Sequence, residues 1–333
     1  MNKKTRKILL KIIIPIVFVL VALIVFSVYM LFFNKDEPYE IPEGSAEIHY
    51  IDVGQGDSTL IFADGATLLI DTGEADSDNT MINYLKEKEV ETINYFIITH
   101  FDSDHFGEAT EVLGEFKVEN LIIPDQVKET KMYTTFMTAV AEKPEIEVSV
   151  IEGSDDIGDM IEVDNIIDID SKADRVLNVG VVDPEKEGDK ADLELEFFGP
   201  VSDTYSNSND YSIIVMIRWG ATKLLFTGDS ESKGEADLVE KLGTSLEKEL
   251  DCDVFKAGHH GSSTSSCDEI LDAASPAYII ISCGEDNKYG HPHTEAIDRF
   301  NDKVSEDKIY RTDLKGTIVL TTDGETIQIT TEK

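Results

Sequence analysis

The chain has 333 residues, 41% of them hydrophobic, and a formal net charge of −38. That length and apolar content allow one large domain with accessories. The charge repels nucleic acid and anionic lipid at long range and excludes a protein that grips either by a broadly basic surface, although a local cationic or metal site can override the mean field. Cys252, Cys267 and Cys283 show no C-x-x-C spacing, which excludes a disulfide framework or a zinc ribbon; at most one pair could bridge, and buried thiols are expected.

Lys3, Lys4, Arg6, Lys7 and Lys11 precede an uncharged apolar run over residues 12–33, long enough to span a bilayer as a helix. No acidic residue precedes Asp36. The positive-inside rule predicts a cytoplasmic basic tail at 1–11, a transmembrane anchor at 12–33, and everything after it on the extracellular side of the cell membrane. The bulky end of the run, Tyr29 to Phe33, argues against signal-peptide cleavage. Residues 34–44, with Pro38 and Pro42, read as a linker, and 45–333 as a folded domain.

Within that domain, alternation predicts a strand at 46–53 and a hairpin of 58–62 with 67–70 about Asp64-Gly65. An amphipathic helix is expected at 80–89, a buried strand at 95–98 and a helix at 108–113. A strand at 121–124, a helix near 133–141 and a strand at 147–151 follow. Residues 152–192 are acidic and weakly periodic, and read as an acidic insertion. A strand at 193–198, a hairpin of 212–219 with 222–226, a helix at 235–242, strands at 253–257 and 277–282, a helix at 295–300 and a last hairpin (318–321 with 326–330) complete the pattern. Two successive sets of strands with helices between them predict an α/β arrangement of two sheets faced by helices.

The chemistry concentrates just past the buried strand at 95–98, where His100, Asp102, Asp104 and His105 fall within six residues. A calcium loop beginning at Asp102 would need an oxygen ligand at Phe106 and a glutamate at Leu113, so that alternative fails. Imidazole and carboxylate are natural ligands of zinc and its neighbours. Asp71, Asp229 and the pair His259-His260 also follow apolar runs. Loops at sheet ends can bring such residues to one place, and four groups together predict a metal site.

The stretch from Thr99 to His105 resembles the first metal motif of the metallo-β-lactamase fold. Aspartate at 102, where that superfamily usually carries histidine, is similar to the extracellular hydrolase domain of the competence protein ComEC and its stand-alone relatives. Asp52-Val53-Gly54-Gln55-Gly56-Asp57-Ser58, Leu225-Phe226-Thr227-Gly228-Asp229, Gly258-His259-His260-Gly261-Ser262, Tyr289-Gly290-His291-Pro292-His293 and Tyr310-Arg311-Thr312-Asp313 extend the likeness over most of 46–330. The resemblance implies a four-layer αββα sandwich with two divalent metal ions, zinc or manganese, between the sheets. It implies one metal position at His100, Asp102 and Asp229, and another at Asp104, His105, Asp229 and His259. Asp71 would orient a ligand from behind.

The usual third-motif histidine is missing; Asn209-Asp210 stands in its region, and whether Asp210 takes its place as a ligand is left open by the sequence. The first position is therefore oxygen-rich, inclined toward manganese, and weak. Adjacent side chains on extended backbone point opposite ways, so one of the pair is expected on the metal. His259 is the expected ligand and His260 the substrate contact, although alternation alone leaves the choice between them open. Metal-activated water would attack, and His260 or His291 would protonate the leaving oxygen.

The expected function is a membrane-anchored extracellular phosphodiesterase or nuclease, acting on nucleic acid or a cell-wall polymer. A single span excludes a DNA channel. An ester or lactone hydrolase and a non-catalytic binding or sensing module are the alternatives. No dedicated protein partner is evident in the sequence.

Overall fold

The computed structural model describes residues 41–333 apart from Glu43, Asp64, Ser77, 152–165, 170–175, 180–192, Asp203 and 244–248. The expected basic tail and membrane anchor, and most of the linker, lie outside these residues. Among the described residues, no helix is long and apolar enough to cross a membrane.

Seven strands follow one another in the first sheet: β1 (Ala46–Tyr50), β2 (Thr59–Ala63), β3 (Ala66–Ile70), β4 (Thr92–Ile97), β5 (Lys117–Pro124), β6 (Glu147–Ile151) and β7 (Ile166–Ile169). β1 to β3 run antiparallel, and β3 to β7 pair parallel. The chain returns to this sheet at its far end, where β15 (Ile318–Thr322) and β16 (Ile327–Thr331) add to the free edge of β1 in the order β16-β15-β1-β2-β3-β4-β5-β6-β7. The second sheet holds β8 (Val176–Val179), β9 (Leu193–Gly199), β10 (Ile214–Trp219), β11 (Thr222–Phe226), β12 (Val254–Lys256), β13 (Tyr278–Ile281) and β14 (Ile309–Arg311) as neighbours in sequence order. Its β11 to β14 are parallel. The stretch expected to be an acidic insertion thus supplies an edge strand to each sheet, β7 and β8.

The period of two along each strand sorts side chains into three apolar layers. Leu68, Ile70, Ile97 and Ile122 of the first sheet meet Leu224, Phe226, Val254 and Ile280 of the second, and Tyr50 stacks on Phe226 with ring centroids 5.9 Å apart. The intervening residues face outward. Leu69, Phe96, Leu121 and Ile123 pack under α1 (Thr80–Glu87), α3 (Ala109–Glu115) and α4 (Lys131–Ala141). Leu225, Phe255, Ile279 and Ile281 pack under α5 (Ser232–Leu242), α6 (Asp268–Ala274) and α7 (Thr294–Lys303). Strands buried on both faces read as continuous apolar runs, as these do. The result is four layers, helix, sheet, sheet and helix. Two short helices, α2 (Ser103–Phe106) and α8 (Thr312–Lys315), lie just past β4 and β14.

Backbone contacts lock the loops at the strand ends together. A Cβ on Gly107, at the end of α2, would lie 2.3 Å from the Ala75 nitrogen, 2.6 Å from the Ser103 oxygen and 2.7 Å from the Gly73 oxygen. These atoms are backbone and cannot swing aside, so only glycine lets the loop after β3 press on α2. Gly107→Ala should lower stability by roughly 1–3 kcal/mol. An unchanged denaturant midpoint would show that the two loops are not so closely joined.

Candidate metal centre

The end of β3 delivers Asp71 and the end of β4 delivers Thr99 and His100. α2 carries Asp104 and His105, the end of β11 Asp229, and the end of β12 the two adjacent histidines. Asp71 is fully buried and adopts left-handed backbone (φ 56°), which aspartate tolerates better than most residues. Its Oδ1 accepts from the Thr99 amide at 2.8 Å and its Oδ2 from the Thr99 hydroxyl at 2.6 Å. The same Oδ2 lies 2.7 Å from His105 Nδ1. With Nδ1 so held, His105 turns Nε2 inward, 3.1 Å from Asp229 Oδ1.

His260 is arranged in the same way from the opposite side. Its Nδ1 lies 3.1 Å from the Ser282 carbonyl oxygen and 3.4 Å from Asp57 Oδ1, and its Nε2 lies 3.5 Å from both Asp229 Oδ2 and Asp104 Oδ2. Lys256 Nζ, also buried, sits 2.8 Å from the Asp57 carboxylate. Asp57, His105, Asp229 and His260 form the one group, among the described residues, whose ligand atoms all lie within 4.8 Å of one another.

Charge is strongly perturbed here. Burial disfavours the cationic form of His105, but the Asp229 and Asp71 carboxylates overcome it and raise the pKa well above the usual imidazole range. Burial likewise opposes charge on His260, yet Asp229 and Asp57 lift its pKa to about 10. Burial alone would raise Asp229; His105 and His260 instead hold it well below the ordinary carboxylate range. Asp104 behaves similarly, brought down to about 2 against its burial by His260 and His105. His100 goes the other way: burial first, then His105, push it to about 3, so it is neutral.

The donor set fits a divalent ion. His105 Nε2, His260 Nε2, His100 Nε2 and Asp229 Oδ1 are all buried without a hydrogen-bond partner, a concentration that folded proteins rarely tolerate unless something else binds there. Inward-facing imidazole nitrogens with a shared carboxylate are the ligand chemistry of zinc-class metals.

Several sequence expectations change in detail. The backbone at His259 and His260 is not extended but left-handed, with φ/ψ of 46°/46° and 56°/25°. Alternation therefore does not apply, and both rings turn toward Asp229. His260, expected to face the substrate, is the more deeply buried ring, 1% exposed, and lies among the metal-competent groups. His259, expected to be the ligand, is 23% exposed, with Nε2 3.7 Å from Asp229 Oδ2 and Nδ1 3.3 Å from Glu231 Oε1. Asp210 does not replace the missing histidine: its Oδ1 accepts the amides of Glu231 and Gly234 at 2.9 and 3.1 Å and so serves the start of α5. Asn209 faces the site instead, with Nδ2 3.4 Å from His259 Nδ1. Asp102 lies on the pocket wall, where Lys128 Nζ contacts its Oδ1 at 2.5 Å.

The histidines open onto a pocket of about 180 Å³ lined by Gln55, Asp102, Asp104, Asn209, Asp229, His259, His260, Tyr289 and His291. Asn287 clamps the loop bearing His291. Its Oδ1 accepts from the His291 amide at 3.0 Å and its Nδ2 donates to the His291 carbonyl at 2.6 Å. Burial, then His260 and His259, push the His291 pKa down to about 4, so at neutral pH this ring is neutral and has no imidazolium proton to give a leaving oxygen, contrary to the expected role. Sequence reasoning missed Asp57 and Lys256 as parts of the site. Asp57 stands in a quoted motif, but its partner is 199 positions away and no spacing links the two.

Asp71→Asn keeps the shape of the residue behind His105 but removes its charge. We expect metal affinity to fall by about 10- to 100-fold with the fold retained. Titration calorimetry would decide; wild-type affinity in the variant would show that the His105 ring needs no carboxylate behind it.

Residues 51–285 match the model of the family described as the metallo-beta-lactamase superfamily. ComE operon protein 3 of Bacillus subtilis (strain 168) is 27% identical over 298 residues, covering 84% of this chain and 33% of that protein. Competence protein ComA of Neisseria gonorrhoeae is 29% identical over 287 residues, covering 86% of this chain and 34% of that protein. The chain thus spans about a third of the length of these curated relatives. The E377D mutant of CmlA beta-hydroxylase shares the fold with a TM-score of 0.50 at 14% identity, covering 85% of this chain and 55% of that one. A family match over more than half of the sequence, on a four-layer fold with histidines and aspartates converging at the strand ends, means that this chain belongs to the metallo-β-lactamase superfamily.

Proposed function

We propose that the chain is a metal-dependent hydrolase of phosphodiesters, held at the outer face of the cell membrane by the apolar run at 12–33. The observation that carries the catalytic part is the set of unpartnered atoms, His105 Nε2, His260 Nε2 and Asp229 Oδ1, at the floor of a polar pocket. In this reading His105, His260, Asp229 and Asp104 hold a zinc or manganese ion. Bound there, the ion supplies an acidified water and positive charge to offset the anionic transition state.

The chain's own groups do the rest. Asp71 and Asp57 fix the two imidazoles from behind. Glu231 Oε1, 3.3 Å from His259 Nδ1, holds that ring at the pocket wall. His259, His291, Gln55 and Asn209 supply the polar wall against which an ester's oxygens would be oriented. A pocket this small on so acidic a chain favours a short or isolated phosphodiester over a tight grip on long nucleic acid. The name of the competence relative keeps nucleic acid among the substrates to be tried. Asn209 in place of a histidine favours the second reading, a binding or sensing module.

The test is turnover of bis(p-nitrophenyl) phosphate by the full 333-residue chain, with zinc, with manganese and with chelator. Asp229→Ala and His260→Ala should lose metal and turnover together. His259→Ala should keep metal while its rate falls by about 100-fold or more. A folded, metal-loaded chain without turnover of phosphodiester, carboxylic ester or lactone probes would return the protein to the binding role. For the membrane placement, protease added to intact cells should digest the domain; protection until lysis would put it inside.

A further inference from the structure

We infer that the centre holds one cation tightly, and that the ammonium group of Lys128 stands in for a second one beside Asp102. The inference rests on the metal-dependent reading above and specifies its stoichiometry. Lys128 lies in the loop between β5 and α4, and its Nζ donates to Asp102 Oδ1 at 2.5 Å. The Lys128 side chain is 19% exposed and that of Asp102 36%, so the pair is partly shielded from water, and Asp102 lines the pocket. Such a pair interacts more strongly than one in bulk solvent.

Two further observations point the same way. Among the described residues, the single group with converging ligand atoms takes Asp57, His105, Asp229 and His260, and leaves out His100 and Asp102. Beyond the Asp229 carboxylate, which it would have to share with the first centre, a position at His100 and Asp102 gains no donor from the region of the missing histidine: Asp210 Oδ1 is engaged by the Glu231 and Gly234 amides, and Asn209 turns its Nδ2 toward Glu231 Oε1 at 3.3 Å. What remains is one imidazole with an unpartnered Nε2, a share in Asp229, and one carboxylate already balanced by a lysine.

A divalent ion entering there would have to take Asp102 from Lys128 and then remain near the displaced ammonium. The centre at His105 and His260 carries no such penalty. Its lysine, Lys256, contacts Asp57 behind His260, on the Nδ1 side of the ring and away from the converging Nε2 atoms.

The experiment strips the full chain with chelator, reloads it with zinc or with manganese alone, desalts it and measures metal by mass spectrometry, with calorimetric titration in parallel. Wild type should retain about one equivalent and bind a further one only weakly. Lys128→Met and Lys128→Gln should each bind the second equivalent about tenfold more tightly or better, whereas Lys128→Arg, which keeps the charge, should behave as wild type. Circular dichroism would confirm that each variant is folded. Two equally tight equivalents in wild type, or a second affinity indifferent to the charge at 128, would overturn the inference while leaving a metal-dependent hydrolase intact. No metal on any variant would remove both.

Discussion

Buried negative charge is the constraint around which the centre of this molecule is arranged. Asp57, Asp71 and Asp229 are withdrawn from water where the two sheets meet, with the less buried Asp104 beside them. A buried carboxylate persists only if it is paired or hydrogen-bonded. Asp71 is answered by Thr99 and His105, and Asp57 by Lys256 and His260. These pairings occupy the outer nitrogens of the two imidazoles. They leave the inner nitrogens facing Asp229 and Asp104, where the remaining negative charge attracts protons or a metal ion.

This arrangement also ties the layers together. Asp57 comes from the loop between β1 and β2 of the first sheet, and Lys256 ends β12 of the second, so one ion pair crosses the sandwich beside the site. Asp229 and His260 come from the second sheet, and Asp71, Asp104 and His105 from the first. Neither half carries the centre alone, and correct packing of the two sheets is a condition for assembling it. The glycine contacts around Gly107 keep α2 against the loop after β3 and so hold His105 at the right depth.

Much of this was legible in the sequence because parallel strands, buried on both faces, appear as short apolar runs with the functional residues just beyond them. His100, Asp104, His105 and Asp229 each stand just past such a run, and the fold draws them together. What escaped depends on geometry that spacing does not encode. Two consecutive left-handed residues reverse the expected depths of His259 and His260, and nothing about a histidine pair announces that backbone. Asp210 looks like a ligand in sequence, but the amides at the start of α5 take its carboxylate. Lys128 is one lysine in a polar loop until folding lays it against Asp102. The strands β7 and β8 escaped because each has a single sheet neighbour and sits in a stretch rich in acidic residues.

The pairing of β1 with β15 bears on how the chain reaches its fold. Ala46 is registered against Thr322 and Tyr50 against Ile318, which joins two segments separated by nearly the whole domain. Contacts between such distant segments form late and slow folding, because a long loop must close before they yield any stabilisation. Until β15 arrives, β1 has an open edge of unpaired amides and carbonyls, the kind of surface to which other chains add. Unassisted refolding should therefore be most prone to aggregation before the first sheet is closed.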